Sequence, residues 1–408
     1  MKKISLCILK GIEPLEGAWA EWVEDEVLTP SQPSDARGRI TIELTRPVRS
    51  LKVFVFCPGF WETSFKVLRA DEEIRVQLRR IDPTERPWWK KAIGSLAPAA
   101  GAGVRIGVID SGCGAHPHLE NVEVFEPAWV EEDELFLLEY RPASKVDRVG
   151  HGTHVCGILA ASPSNGPIGL SGIAPSAEIK LCRVFHGYEE NAEDERLQNK
   201  IAEAIEFLAQ DQAVDIINMS FDIDLSDRGS LTLSNAIDAA HAAGVILVAA
   251  TGNDGAQQLA FPASHPKVWS VSAFGLDHEL PDDLMNFRPP PGSDRWCSKN
   301  SGMFLANFSN TGLPGSFCAP GVGIAAAFYK MPEMSDCQDD RLFISMSGTS
   351  MASPMVAGLF AAWIGDDSSP DQRPEAIDKH RFIVDATARF VRRGHFGNRH
   401  RINGVFCS

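Results

Sequence analysis

The rhythm of apolar residues changes near position 104, and that change limits the fold more than any other feature of the chain. Before it, residues 39–44 (Arg-Ile-Thr-Ile-Glu-Leu) and 74–78 (Ile-Arg-Val-Gln-Leu) alternate polar and apolar side chains, and 51–56 is a further strongly apolar run. Clusters of Pro, Gly, Asp and Ser, such as 30–35 and 58–59, separate these runs. Short strands broken by turn signals predict a small all-β sandwich over residues 1–82. After it, apolar runs at 104–109, 179–184, 216–219, 245–250 and 268–271 alternate with helical stretches. Ile201, Ala204, Ile205 and Leu208 share one helical face, and a second helix is expected over 233–243. That alternation predicts an α/β domain over 104–408, with a mostly parallel sheet covered by helices on both faces.

Residues 83–103 read as a linker. Pro83, Pro87 and Pro98 punctuate them, and they end in an Ala/Gly-rich stretch. Within them Trp88 and Trp89 are expected to start a short helix packed on the following domain, because a solvated pair of indoles leaves a large apolar area in water.

A chain of 408 residues suits two unequal domains of this kind. Its 44% hydrophobic and 23% charged residues exclude disordered and fibrous classes. A net charge of −15 argues against a nucleic-acid partner, whose phosphates call for cations. No apolar run reaches the roughly 20 residues that cross a bilayer, so no membrane partner is expected. Lys2 and Lys3 precede an apolar run at 4–9 that Lys10 stops. That run is too short for a secretory signal and reads as a strand. The nine cysteines are odd in number, widely spaced and without a Cys-x-x-Cys pair. Neither a disulfide framework nor a zinc knuckle is indicated, and a reducing, cytoplasmic compartment is expected.

Three segments carry chemistry. Asp110 ends the first apolar strand, in Val-Ile-Asp-Ser-Gly; His151 stands in Gly-His-Gly-Thr-His-Val-Cys-Gly; Ser350 stands in Ser-Gly-Thr-Ser-Met-Ala-Ser-Pro. Taken singly, each has a structural reading: a turn or capping aspartate, a satisfied structural histidine, an N-cap serine. Taken together they run Asp…His…Ser, the chain order of subtilisin. Residues 104–408 resemble the subtilisin-like serine peptidases (subtilases). Further matches are Ala249-Ala250-Thr251-Gly252-Asn253-Asp254-Gly255, Gly172-Ile173-Ala174-Pro175, Ile217-Asn218-Met219-Ser220 and Ala319-Pro320-Gly321.

The resemblance implies a subtilisin-like three-layer fold and an Asp110–His151–Ser350 triad, with Asn253 as the oxyanion-hole residue. A serine hydroxyl is a weak nucleophile at neutral pH and needs an adjacent base, here His151 oriented by Asp110. The resemblance leaves His154 structural. It further places Ser220, Phe221 and Asp222 along the substrate backbone, and Asp254 and Ala260 near the main side-chain pocket. Many family members have Gly at the position of Asp222. Two readings stand for this aspartate: it crowds the substrate or favours a basic residue in it, or it points to solvent.

Other segments depart from the family or lie outside it. The family's calcium-holding His-Pro-Asp-Leu run is here His116-Pro117-His118-Leu119, and the loop 162–168 lacks an oxygen-rich pattern. Calcium takes six to eight oxygens, so no metal and no cofactor is expected. Residues 276–303 look like an insertion, a passive surface loop or a gate or partner site. Cys113 and Cys156 are near Asp110 and His151 in sequence; burial would leave them inert. In residues 1–82, Pro14-Leu15-Glu16-Gly17-Ala18, Asp35-Ala36-Arg37-Gly38-Arg39-Ile40 and Cys57-Pro58-Gly59-Phe60 resemble the transthyretin-like carboxypeptidase-regulatory domain. That resemblance implies a permanent accessory module for docking or regulation, not a cleaved inhibitory propeptide. The expected function is an intracellular serine endopeptidase acting on a protein or peptide substrate and processing a specific precursor. Its rival is a catalytically silent binding protein regulated by the N-terminal domain. Peptide ligation through the same acyl-enzyme is a third possibility.

Overall fold

The computed structural model describes residues 3–366, apart from 25–26, 47–50, 68–72, 83–84, 86, 95, 98, 133–134, 163–169, 188–194, 224–226, 281–283, 285–286, 299–301, 313–316 and 330–341. The N-terminal part forms two four-stranded sheets face to face. One joins the strand Lys3–Lys10 antiparallel to Glu13–Pro14 and Arg39–Glu43 and parallel to Ile74–Gln77. The other runs in the order Val27–Pro30, Trp19–Glu24, Leu51–Phe56, Thr63–Val67. The period-2 pattern sets the register: Ile4 faces Ile42 and Leu6 faces Ile40, and all four side chains point into the core between the sheets.

The second part is built on a ten-stranded sheet. Its middle strands run parallel in the order Val122–Glu132, Glu178–Arg183, Arg105–Asp110, Ile216–Met219, Ile246–Ala250, Val268–Leu276. These strands are apolar on both faces because both faces are covered. Ile106 and Val108 pack in the core that holds the helices His151–Ala160 and Thr349–Asp366. Ile109, Ile217 and Leu247 pack on the opposite side with the helices Glu195–Gln210 and Asp227–Ala242. The helix Thr349–Asp366 is apolar nearly all round, as a helix enclosed by protein must be.

The expected short helix at Trp88 forms, and the 276–303 stretch is more than a loop. The linker-like stretch contains a helix, Trp88–Ile93, whose two indoles are buried in the main core and donate from Nε1 to the carbonyls of Val322, Gly323 and Ala325. The 276–303 stretch extends the sheet: Trp296–Ser298 and Met303–Leu305 pair antiparallel, and the latter adds to the end of Val268–Leu276. Phe287 in the same stretch is buried, so it is not a passive loop along its whole length.

The sandwich rests on the second part. Gly59 donates its N–H to the Phe343 carbonyl at 2.6 Å, the Trp19 ring stacks on Phe328 at 5.9 Å, and Phe54 stacks on Phe287 at 6.5 Å.

Candidate active site

The site lies outside the carboxyl ends of the parallel strands, the usual place for chemistry on an open α/β sheet. Asp110 is the last residue of the central strand Arg105–Asp110 and is buried. His151 is the first residue of the helix His151–Ala160, and its Nδ1 is 2.8 Å from Asp110 Oδ1. A carboxylate accepts, so Nδ1 carries the hydrogen and Nε2 keeps its lone pair. Burial opposes a charged imidazole, but the Asp110 carboxylate outweighs it and raises the His151 pKa above the ordinary imidazole value.

The approach is tight by necessity. A Cβ on Gly152 would lie 2.2 Å from the Gly112 carbonyl and 3.0 Å from Asp110 Oδ1, so only glycine lets the helix start this close to Asp110. Asp147, buried four residues before His151, fixes the same turn. It accepts from the N–H groups of Val149, Gly150 and Thr153, from the Thr153 hydroxyl and from the Ser111 hydroxyl. The Ser111 hydroxyl also takes the Gly152 N–H at 3.0 Å and stands 3.2 Å from Asp110 Oδ1. Sequence reading missed Asp147 and Ser111; their closeness in sequence to His151 and Asp110 was the available signal.

Ser350 opens the helix Thr349–Asp366, so its backbone N–H is among the donors that a helix start leaves without an intrahelical partner. Its carbonyl accepts from the Ser220 hydroxyl at 3.0 Å. Ser220 follows Met219, whose partner across the sheet is Ile109, the neighbour of Asp110. Two parallel strands thus bring the Asp110–His151 pair and the Ser350 turn to one edge. No hydrogen bond joins His151 to Ser350 among the described residues; such contacts commonly tighten only once substrate is bound.

Asn253 is exposed and its side-chain oxygen is anchored: Oδ1 accepts the Thr349 N–H at 2.9 Å and the Thr349 hydroxyl at 3.1 Å. A backbone N–H can only donate, so the amide orientation is fixed and Nδ2 is turned away from Thr349. A Cβ built on Gly348 would lie 3.7 Å from Ser350 N and 3.8 Å from Asn253 Oδ1, so the two groups flank one spot.

The remaining expected residues divide. Ser220 is buried and structural in its contacts, bonded also to Asn218 and Ser353. Phe221 packs on Phe185 at 5.2 Å, while Asp222 is exposed. Asp254 is exposed, and its Oδ2 accepts from Asn310 Nδ2 at 3.3 Å. Ala260 sits beside Gly252, its N–H on the Thr251 carbonyl. His154 is fully buried, with Nε2 2.9 Å from the Ile324 carbonyl and 3.2 Å from that of Ile344. Burial, then the charge of His151, lowers its pKa to about 3. Three residues apart on one helix, the two histidines therefore have opposite titration.

His116 is buried with Nε2 on the Leu342 carbonyl, and burial with the nearby His118 lowers its pKa to about 4. Residues 163–168 of the loop expected to lack calcium ligands lie outside the described residues, as do Cys337 and Cys407. Cys113 and Cys156 are fully buried, and burial raises the Cys156 thiol.

The profile of the subtilase family matches residues 101–385. The chain belongs to the subtilase family. It is 31% identical over 284 residues to subtilisin BL of Lederbergia lenta, covering 67% of this chain and 82% of that protein. It is 28% identical over 271 residues to the major intracellular serine protease of Bacillus subtilis (64% and 68% covered). For the M-protease of Shouchella clausii, at 31% identity, the match spans 64% of that protein's length. Among solved structures, the S41 psychrophilic protease superposes with a TM-score of 0.53 at 25% identity, over 75% of this chain and 91% of that one. This subtilase is thus a subtilisin-like serine protease, a hydrolytic enzyme, whose sheet carries an all-β N-terminal region in front of it.

Proposed function

We propose that this subtilase is an intracellular serine endopeptidase that processes a specific protein or peptide precursor, using Asp110, His151 and Ser350 as triad and Asn253 in the oxyanion hole. Ser350 Oγ attacks the scissile carbonyl carbon while His151 Nε2 takes its proton. The C–N bond then breaks, His151 returns the proton to the leaving amine, and water releases the acyl group by the same relay. Asp110 holds the imidazole in the required tautomer and stabilises its charged form. The negative charge on the tetrahedral oxygen falls to Asn253 Nδ2 and the Ser350 N–H.

The observation that carries this reading is the 2.8 Å contact of His151 Nδ1 with Asp110 Oδ1, on the same sheet edge as a Ser350 turn tied to Asn253 through Thr349. Ser220 through Asp222 line the substrate backbone, with Asp254 and Ala260 beside it. The chain divides into a sandwich at 1–82, a connector at 83–103 and a peptidase domain at 104–408. The sandwich and the 276–303 stretch are the regulatory surfaces. The buried free thiols and the similarity to a protease named as intracellular support the compartment.

A fluorophosphonate probe tests the reading. It labels the full chain and loses its target in Ser350→Ala, while mapping of new N-termini in cells that hold the active or the Ser350→Ala protein returns a short list of substrates. A chain that is never labelled is a silent binding protein.

A further inference from the structure

The sandwich faces the candidate site with two neighbouring lysines. Lys52 on Leu51–Phe56 and Lys66 on Thr63–Val67 are direct cross-strand partners. Like charges placed opposite each other across antiparallel strands destabilise the pair. Neither lysine is in an ion pair among the described residues. The Lys52 ammonium lies 4.6 Å from the Phe54 ring centroid and 5.5 Å from that of Phe287. Burial first, and then Lys66, lower its pKa against the opposing charge of Glu62.

Both lysines open into a cavity of about 880 Å³ whose far wall includes Asn253 and Asp254. That volume falls within the roughly 300–1,000 Å³ of ligand sites. The other charges around it are already bound. Arg288 Nε stands 2.5 Å from Asp277 Oδ1, and its Nη2 donates to the Asp277 carbonyl. Asp254 Oδ2 takes the Asn310 amide. Lys52, Lys66 and Arg288 against Asp254 and Asp277 leave the lining one positive charge in excess, despite a chain charge of −15.

We propose that Lys52 and Lys66 of the N-terminal sandwich form a specificity subsite that binds a carboxylate of the peptide substrate while its scissile carbonyl sits at Asn253. The inference rests on the peptidase reading above and deepens it. It makes the sandwich part of the substrate cleft. The carboxylate has two sources, an Asp or Glu side chain or the substrate's own C-terminus.

Matched peptide pairs separate them. The full chain is assayed on a library in which Glu or Gln occupies each position on both sides of the cleaved bond, with the C-terminus free or amidated. A side-chain carboxylate gives a kcat/KM ratio of Glu over Gln of roughly 3–10 at one position, a size set by one partly buried ion pair. A terminal carboxylate gives that ratio for free over amidated peptides instead. Either ratio shrinks in about 0.5 M salt, because the pair is screened. In the Lys52→Met, Lys66→Met double variant the ratio falls to about one, and Lys66→Glu moves the preference toward Lys. Because each figure is a ratio within one protein, a general loss of activity cancels. Cleavage with every ratio near one, or a ratio kept in the double variant, overturns the subsite alone. No cleavage with Ser350 unlabelled overturns the peptidase reading and the subsite with it.

Discussion

Two buried carboxyls, one in the peptidase part and one in the sandwich, each grip a neighbour, and the two neighbours are of different kinds. On the peptidase side, Asp110 faces His151, a group that can carry the opposite charge, and the pairing raises the histidine's pKa. On the sandwich side, Glu62 faces Ser347, whose hydroxyl donates to its Oε1 at 2.5 Å and accepts the Gly323 N–H at 2.8 Å, and whose backbone also bonds the carboxyl. With no cation in contact, burial raises Glu62's own pKa to about 8. The same residue class thus does two jobs. Next to an imidazole it stores charge for chemistry; in the seam between sandwich and peptidase it is a neutral hydrogen-bonding wedge.

The comparison breaks first at Asp110. Asp110→Asn keeps the shape but offers the imidazole the wrong hydrogen-bonding partner, so kcat falls by about 10⁴, the loss known for the matching change in a serine protease triad. A loss below about tenfold would mean that Asp110 does not orient His151. Next comes Asn253→Ala, which removes one oxyanion donor. It lowers kcat by about 10²–10³ with little change in KM, a magnitude taken from subtilisin, to whose family this chain belongs. An equal rise in KM with kcat unchanged would make Asn253 a ground-state binding residue instead.

The peptidase grip was largely legible in the sequence and the sandwich grip was not. Asp110, His151, Asn253 and Ser350 each sit in a local motif, and small neighbours such as Gly152 and Gly252 are demanded by close packing. The change of apolar rhythm near 104 also marked the strands and helices that carry them. Asp147 was within reach, four residues from His151, but its role is read only when the Gly150 and Thr153 amides are seen to point at it. Glu62 and Ser347 are 285 positions apart, and no local pattern links them. Their meeting depends on how two independently patterned units dock. The Lys52–Lys66 pair is of the same kind: each lysine reads as an ordinary solvent-facing strand residue until register puts one opposite the other.

The smallest effect isolates the wedge. Glu62 holds its proton in the folded protein up to about pH 8, whereas the unfolded chain loses it near the ordinary value of 4.5. A raised pKa of this kind contributes stability that is complete below about pH 4.5 and declines as pH rises toward 8, since over that span only the folded state keeps the proton. Glu21 nearby acts in the same direction and Lys52 against it. Glu62→Gln keeps a neutral acceptor for the Ser347 hydroxyl at every pH. Melting temperatures of variant and parent should therefore agree below about pH 4.5, separate as pH rises toward 8 and keep a constant gap above it, where the variant is more stable by roughly 1–3 kcal/mol, the cost of an uncompensated buried polar group. A gap that does not change with pH, or one that favours the parent at high pH, would mean that the carboxyl is ionised in the seam. The two grips would then be alike.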